Sequence, residues 1–301
     1  MKTKLDKLTS TAKRLIELPY NQFNLDNYLG ILRKPLNDNF DLLDTLSSNP
    51  IKLMSGLHPM CGILATDDYR LKNDKKNIVI VGKGILFDSG GYNLKTGKHI
   101  ANMHMDKAGM IIAVLVADYF NTDKVTAWCP VTTNFIHNSK LTPNDIIKIG
   151  NKRVEVGNTD AEGRLILAEA LNRYNQGEDD IIITIATLTG CCEYAVDKAT
   201  GVFGGKKIVD AYLKAAKEVK EYAWELPIFD YMEKMYKKQP IKNDNSKIKA
   251  GTSEGACFIK QFIDFPDRWL HLDIAASAEK DGKATGIPIR SLIKFIQGQL
   301  K

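Results

Sequence analysis

Two carboxylates and a guanidinium alternate along residues 158–165, which read NTDAEGRL. Asp160, Glu162 and Arg164 stand at every second position with only small residues between them, so an extended backbone would point all three side chains the same way. Two carboxylates so close in a low-dielectric cleft raise each other's pKa, and a bound divalent cation removes that cost. The octapeptide therefore predicts a metal site, and a solvated turn that caps the next helix is the open alternative.

A second chemistry-bearing stretch lies upstream, around Lys83 and Asp88. Glycines flank these residues directly after the apolar run 78–81, which is typical of a chain leaving a buried strand into a tight loop. The dinucleotide-binding pattern G-x-G-x-x-G fails because Phe87 replaces its third glycine. The P-loop pattern fails because the spacing of the glycines in residues 91–97 is one position too long. Neither phosphate-binding interpretation is favoured.

The two stretches resemble the signature of the leucyl aminopeptidase (cytosol aminopeptidase, M17) family of two-metal exopeptidases, in residue type and in order. Similarity continues through residues 187–190, 271–275 and 284–286, so it covers nearly the whole chain. The resemblance implies seven metal-binding and catalytic residues, and all seven are present: Lys83, Asp88, Lys95, Asp106, Asp160, Glu162 and Arg164.

The resemblance assigns five of these residues to two divalent ions. Asp88 and Glu162 would bridge the ions, Asp160 would complete one site, and Lys83 with Asp106 would complete the other. Four negative charges balance two divalent ions better than one. Oxygen ligands with one nitrogen suit zinc, manganese or cobalt, and magnesium is a further candidate. Lys83 would bind as the neutral amine, and a surface ammonium is its open alternative.

Two positively charged side chains, Lys95 and Arg164, remain once the metal ligands are assigned. The resemblance gives Lys95 the role of stabilising the oxyanion that forms when a metal-activated water attacks a peptide carbonyl. Arg164 presents a planar fork suited to a bidentate anion, which the resemblance identifies as a bicarbonate that acts as the proton-transferring base. An ion pair between Arg164 and one of the acids is the open alternative.

The same resemblance implies a substrate cleft, and an apolar pocket there would prefer an aliphatic, leucine-like first residue. Core packing is the alternative for its methionine and leucine. Lys107 and residues 250–256 depart from the family pattern, which has methionine in place of Lys107. We expect the charge of Lys107 beside Asp106 to alter metal affinity and substrate preference. The positions that match the cleft are Met103, Asn158, Ala161, Thr187, Leu188, Gly190 and Ala284.

Short apolar runs alternate with helical patterns from residue 78 onward, which predicts an α/β fold with a mostly parallel central sheet and helices on both faces. Residues 146–156, broken at Gly150, predict a β-hairpin added to this sheet. Ligands of such sheets bind beyond the carboxyl ends of the strands, and Lys83 directly follows one of them. The predicted strands are 78–81, 125–131, 181–188 and 269–274, and the predicted helices are 107–120, 165–174 and 289–296.

Two domains are expected: a helical lead-in segment in residues 1–75 and the catalytic domain in residues 76–301. Apolar residues of the lead-in recur at amphipathic spacing and prolines punctuate it. Full-length members of the family carry a further amino-terminal domain, for which this lead-in is too short. The resemblance also implies a homohexamer of two stacked trimers.

The amino-acid composition is that of an ordinary globular protein. The 301 residues are 44% hydrophobic, which suffices for a large core. The five cysteines form no C-x-x-C pattern, which favours a reducing compartment. A secretory signal and a membrane-length apolar run are both lacking. We therefore expect a cytoplasmic protein without a membrane partner.

The sequence thus predicts a hydrolase, a metalloprotease that acts as an aminopeptidase on peptides with a free amino terminus. The alternative from another class is a DNA-binding or assembly protein with secondary or lost peptidase activity. Some family members bind DNA, and residues 233–249 carry six lysines against two acids. A solvated loop with scattered lysines explains that segment as well, so nucleic acid is not an expected partner. The presence of all seven functional residues favours the enzyme.

Overall fold

A computed structural model of the chain describes residues 3–33, 62–65, 77–136 and 141–300. Cys61 and much of the predicted lead-in lie outside these residues. The four cysteines within them are free, and three of these are buried. The α-helices are α1 (Lys4–Ile16), α2 (Tyr28–Arg33), α3 (Ala108–Phe120), α4 (Glu162–Arg173), α5 (Cys191–Val196), α6 (Lys206–Glu218), α7 (Asp230–Met235), α8 (Gly251–Lys260) and α9 (Ile289–Gln299).

Strands alternate with these helices through most of the chain. They are β1 (Gly62–Ala65), β2 (Ile78–Gly82), β3 (Gly84–Asp88), β4 (Val125–Asn134), β5 (Ile146–Ile149), β6 (Lys152–Glu155), β7 (Ile181–Ala186), β8 (Thr200–Gly204), β9 (Ala223–Glu225), β10 (Ile241–Lys242), β11 (Trp269–Asp273), β12 (Glu279–Lys280) and β13 (Lys283–Ala284). Short 3-10 turns cover Gly97–Ile100, Met103–Met105 and Pro266–Arg268.

An eight-stranded sheet forms the centre of the fold, in the order β1-β4-β2-β7-β11-β8-β9, with β3 paired to β4. The four central strands β4, β2, β7 and β11 run parallel. Antiparallel pairing occurs toward the edges, between β1 and β4 and between β8 and β11. All five residues of β2 are buried, as expected of a strand covered on both faces. The predicted fold class is confirmed.

Helices cover both faces of this sheet. Side chains of β2 alternate between two hydrophobic clusters, with Ile78 and Ile80 in one and Val79 and Val81 in the other. The first cluster contains α1, α3, α6 and α9, and the second contains α4 and α8. The stretch Gly97–Phe120 has the length and hydropathy of a membrane-crossing helix, but 72% of its apolar window is buried inside the fold. Its helical part is α3, whose residues 108–117 are buried in the core.

Two local predictions need correction. The hairpin β5–β6 forms as predicted, but it pairs with β10 in a separate three-stranded sheet instead of joining the central one. Helix α4 begins at Glu162, three residues before the predicted start, so the octapeptide is not extended throughout. A carboxylate in the first turn favours this earlier start, because it interacts with the positive end of the helix dipole.

Candidate metal centre

The sheet and its connections bring the predicted acids and lysines to one place. Lys83 lies between β2 and β3, and Asp88 ends β3. Asp106 follows the 3-10 turn Met103–Met105, while Asp160 and Glu162 lie just before and at the start of α4. This is the edge beyond the carboxyl ends of the parallel strands, where α/β folds place their ligands.

Lys83 joins two of the carboxylates. Its Nζ lies 2.7 Å from Asp106 Oδ2 and 3.0 Å from Glu162 Oε1, and it donates a hydrogen bond of 3.0 Å to the carbonyl of Thr187. Burial opposes the charged form of Lys83, but the surrounding carboxylates outweigh it and hold the pKa above its ordinary value. The side chain is buried, so the interpretation as a surface ammonium is wrong. Lys83 becomes a neutral amine only when a metal displaces its proton.

Gly163 makes room for the Lys83 side chain. A Cβ atom at position 163 would lie 2.6 Å from Lys83 Cε and 2.8 Å from its Nζ. Such distances are far inside van der Waals contact. Lys83 therefore reaches Glu162 by crossing the first turn of α4 at the one residue type that has no side chain.

Lys95 joins the other two carboxylates. Its Nζ lies 2.9 Å from Asp88 Oδ2 and 2.5 Å from Asp160 Oδ1. Burial opposes the charged form, but the charges of Asp88, Glu162 and Asp160 outweigh it and raise the pKa of Lys95. The side chain is 15% exposed. Lys95 is thus a charged group at the edge of the cluster, where it faces the cavity.

The carboxylates are held too close together to be ionised without added positive charge. Oxygens of Asp88, Asp160 and Glu162 all lie within 4.8 Å of one another. Burial, and then the charge of Asp88, raise the pKa of Glu162 to about 8, and burial raises the pKa of Asp106 to about 6.

Three oxygens of this cluster are under-satisfied. Asp106 Oδ2, Asp160 Oδ1 and Glu162 Oε1 are buried and accept no hydrogen bond of normal geometry from the described residues. Each nevertheless lies in an ion pair with a lysine. A donor set of carboxylate oxygens and one amine suits divalent cations. The residues present therefore fit the metals that the sequence predicts.

Asn134 belongs to the site and was overlooked by sequence reasoning. Its Nδ2 donates to Asp88 Oδ1 at 2.8 Å, to the carbonyl of Thr159 at 3.0 Å and to Glu162 Oε2 at 3.4 Å. The residue ends β4, three positions beyond the predicted strand. A polar residue at the carboxyl end of a parallel strand was the available signal.

Arg164 lies in the first turn of α4 and pairs with an acid outside the carboxylate cluster. Its buried guanidinium pairs with Glu254, and Nη1 also donates to the carbonyl of Asn243 at 2.5 Å. The other oxygen of Glu254 accepts from the Tyr236 hydroxyl at 2.6 Å. The alternative of an ion pair is therefore correct in kind, but the partner is an acid of α8. Nε of Arg164 is buried and has no hydrogen-bond partner among the described residues.

A cavity of about 490 Å³ opens onto the cluster. Thr187 on its wall donates to Asp106 Oδ1 at 2.6 Å, so it also orients a proposed metal ligand. His99 and Asn102 line the cavity as well and were overlooked. The predicted substrate residues on its wall are Met103, Thr187, Leu188 and Gly190, whereas Asn158, Ala161 and Ala284 lie off it.

Lys107 is placed differently from the expectation. Its ammonium does not pair with an acid of the cluster but donates hydrogen bonds to backbone carbonyls, two of which belong to the lead-in. Burial lowers the pKa of Lys107 to about 7, although neighbouring Asp106 opposes the change.

The fold and site define a mostly parallel α/β domain with a cluster of carboxylates and lysines at the carboxyl ends of its strands. Comparison with known protein families identifies one member of this class of fold. Residues 62–293 match the family model described as "Cytosol aminopeptidase family, catalytic domain". The chain belongs to this family.

Similar proteins bear names that agree with the family. A probable cytosol aminopeptidase of Chlorobaculum tepidum is 37% identical over 250 residues, which are 77% of this chain and 49% of the relative. Proteins of the same name from Sulfurihydrogenibium sp. and Chromobacterium violaceum are 35% and 38% identical, over 76% and 75% of this chain and 48% and 45% of the relatives. The chain spans about half the length of the curated relatives it matches.

The crossing at Gly163 generates a first prediction. Gly163→Ala should leave the fold intact, since alanine favours helices, but should displace Lys83 from Glu162 and lower manganese affinity by about 10-fold or more. Metal competition with a chromophoric chelator measures this affinity. Gly298→Ala is the matched control, because it lies in α9 and no atom would approach its Cβ within 4 Å. Equal affinities in the two variants would contradict the role of Gly163.

A second prediction concerns protons. A ligand must be deprotonated, so metal binding near pH 7 should release a proton from Glu162, whose pKa is about 8, and one from Lys83. The Glu162 contribution disappears as the pH rises through 8, and release should fall from nearly two protons at pH 7 toward about one at pH 9. Calorimetric titration in buffers of different ionisation enthalpy measures the release. Proton release near zero at both pH values would disprove the binding of a metal by Glu162 and Lys83.

Proposed function

We propose that the chain is a metal-dependent aminopeptidase that hydrolyses the first peptide bond of substrates with a free amino terminus. The observation that carries the proposal is the largely buried cluster of four carboxylates and two lysines, which opens into a cavity in a chain of the cytosol aminopeptidase family. Family membership supports the class of reaction, and the under-satisfied acids support the dependence on metal.

Two divalent ions would be held by the five residues that the sequence singled out. Asp88 and Glu162 would bridge them, Asp160 would complete one site, and Lys83 with Asp106 would complete the other. The spacing of the carboxylates and the contact of Lys83 with both Asp106 and Glu162 support this assignment. Zinc and manganese suit the donor set, and cobalt and magnesium are further candidates. When bound, such ions polarise a carbonyl and make water acidic.

Lys95 would stabilise the negative oxygen that develops on the scissile carbonyl. It remains charged, lines the cavity, and is held in place by Asp88 and Asp160 on its inner side. A preorganised cation of this kind stabilises a transition state more than a ground state.

Arg164 would hold bicarbonate through its Nε edge. Nη1 is engaged by Glu254 and Asn243, whereas buried Nε has no partner among the described residues. A bidentate anion fits such an edge. Bicarbonate bound there would supply the proton acceptor of the reaction.

The cavity favours an aliphatic first residue. Met103, Met105 and Leu188 contribute apolar surface to its wall, close to the carboxylates that would bind the metals. An apolar side chain of the substrate would lie against them while its amine reaches the centre. This arrangement supports a leucine-like preference.

We propose the division into a lead-in of residues 1–75 and a catalytic domain of residues 76–301, in a cytoplasmic homohexamer of two trimers. Tyr194, Tyr222 and Trp224 expose 92%, 78% and 68% of their surface, and burial of such groups by further copies of the chain would be favourable.

The alternative of nucleic-acid binding rests on the lysines of residues 233–249. One of them, Lys242, already pairs with Glu155 at 2.7 Å.

The requirement for a free amine can be tested with a pair of substrates. The α-amino group has a pKa near 8, so its neutral form can reach a metal near neutral pH, and acetylation removes its lone pair. Leucyl p-nitroanilide should be cleaved in manganese or zinc buffer, and its N-acetyl counterpart should not. Chelation should abolish the first rate. Comparable cleavage of both substrates would replace the aminopeptidase proposal with an endopeptidase or amidase.

The role of Lys95 predicts a separation of turnover from metal binding. Lys95→Met should retain the metals, since its partners remain, but should lower kcat by about 10²-fold or more, as loss of an oxyanion partner does. Lys98→Met is the matched control, because Lys98 is exposed on the same loop. Initial rates and metal content are measured on each protein. Undiminished kcat in Lys95→Met would remove this assignment.

A further inference from the structure

The ammonium of Lys107 is fully buried, and within the described part of the chain its hydrogen bonds go to backbone carbonyls only. Nζ donates to the carbonyl of Ile16 at 3.0 Å, to that of Leu18 at 2.8 Å and to that of His104. It also lies 5.3 Å from the centre of the Phe23 ring. Ile16 is the last residue of α1, where helix carbonyls lack intrahelical partners and attract a cation.

Tyr20 makes a second contact between the lead-in and the site. Its ring packs edge-on against Phe135 with centroids 5.0 Å apart, and against Phe87 at 6.4 Å. These two phenylalanines stack on each other at 5.5 Å. Phe87 directly precedes Asp88, and Phe135 directly follows Asn134. The aromatic cluster thus lies one residue away from two groups that are hydrogen-bonded to each other at the centre.

We infer that residues 16–23 of the lead-in position the metal centre, with Lys107 and Tyr20 as the positioning residues. The inference rests on the proposed function, because it concerns the alignment of the same ligands. The family match begins at residue 62, so this support comes from a segment outside the matched region. The lead-in is therefore a second layer of the site and not only a connection to it.

The physical reason lies in the backbone. Lys107 immediately follows Asp106 and immediately precedes α3, so the carbonyl cage around its ammonium holds the peptide from which Asp106 projects. Without the ammonium, the buried carbonyl of Ile16 and the partly buried carbonyls of Leu18 and His104 would lose this donor, and the cheapest relief is a shift of the loop toward water. Asp106 would then lose its alignment with Lys83 and Thr187. Groups that orient metal ligands typically change metal affinity by 10-fold to 100-fold when removed.

The same chain provides a matched contact that should not have this effect. Lys4 Nζ donates to the carbonyl of Tyr119 at 3.1 Å and lies 4.5 Å from its ring. This lysine also joins α1 to α3, but at the opposite end of α3, about 18 Å along the helix at 1.5 Å per residue. Its removal tests how much the docking of α1 contributes to stability alone.

The experiment compares Lys107→Met, Tyr20→Leu and Lys4→Met in the full chain. Methionine has nearly the length of lysine without its charge, so the substitution removes little besides the ammonium. Each protein is stripped with chelator and titrated with manganese against a chromophoric competitor, at a temperature where thermal scans show the metal-free protein folded. We expect Lys107→Met and Tyr20→Leu to weaken manganese binding by about 10-fold or more.

Lys4→Met should lower the melting temperature and leave manganese affinity unchanged. Wild-type affinity in both Lys107→Met and Tyr20→Leu would overturn the inference, as would an equal loss in Lys4→Met. If Lys107→Met does not fold, Tyr20→Leu decides the question. A wild-type chain that binds no divalent metal would instead refute the proposed function, so the two failures are distinguishable.

Discussion

Mutual repulsion among four clustered carboxylates is the constraint on which this structure depends. Asp88, Asp106, Asp160 and Glu162 lie at one edge of the sheet, three of them buried and Asp160 partly exposed, and each meets a lysine ammonium. When all four carboxylates are ionised, the two lysines balance only two of the four negative charges, and divalent cations would supply the missing positive charge. The N-terminus of α4 adds the favourable end of a helix dipole beside Glu162. A fold that gathers these acids must supply positive charge at the same place.

The sheet positions the Lys83 ammonium against the acids because backbone segments of β2, β7, α3 and α4 approach one another closely. Lys83 is the single residue between β2 and β3. Its backbone N–H donates to the carbonyl of Ile185 on β7, and its carbonyl accepts from the N–H of Met110 on α3. The ammonium then passes over Gly163 toward the acids. Strand ends, a helix start and a glycine therefore act together, and Lys107 connects the lead-in to the peptide of Asp106. The acid cluster is thus assembled from elements far apart in the chain.

Arg164 illustrates how an ion pair within the chain redistributes charge. Glu254 lies in the stretch 250–256 that departs from the family pattern, and it pairs with Arg164 while Tyr236 satisfies its second oxygen. The guanidinium is thus partly neutralised by the chain itself, and only its Nε edge remains without a partner among the described residues. A buried ion pair of this kind is costly to break, so Glu254 holds Arg164 in a fixed orientation.

The sequence by itself singled out the acids and lysines of the centre, because their types and order resemble the signature of a known family. It also determined the fold class, because hydrophobic periodicity reports which faces are buried. It did not determine which partner each charged group meets. Arg164 contacts Glu254, 90 residues away, and Lys107 contacts Ile16, 91 residues away, whereas the pattern around each suggested the acid cluster. The hairpin β5–β6 was readable from its turn, but its pairing with β10 was not. Such choices were decided only by the tertiary structure, because hydrogen bonding and burial are satisfied between segments that local patterns cannot bring together.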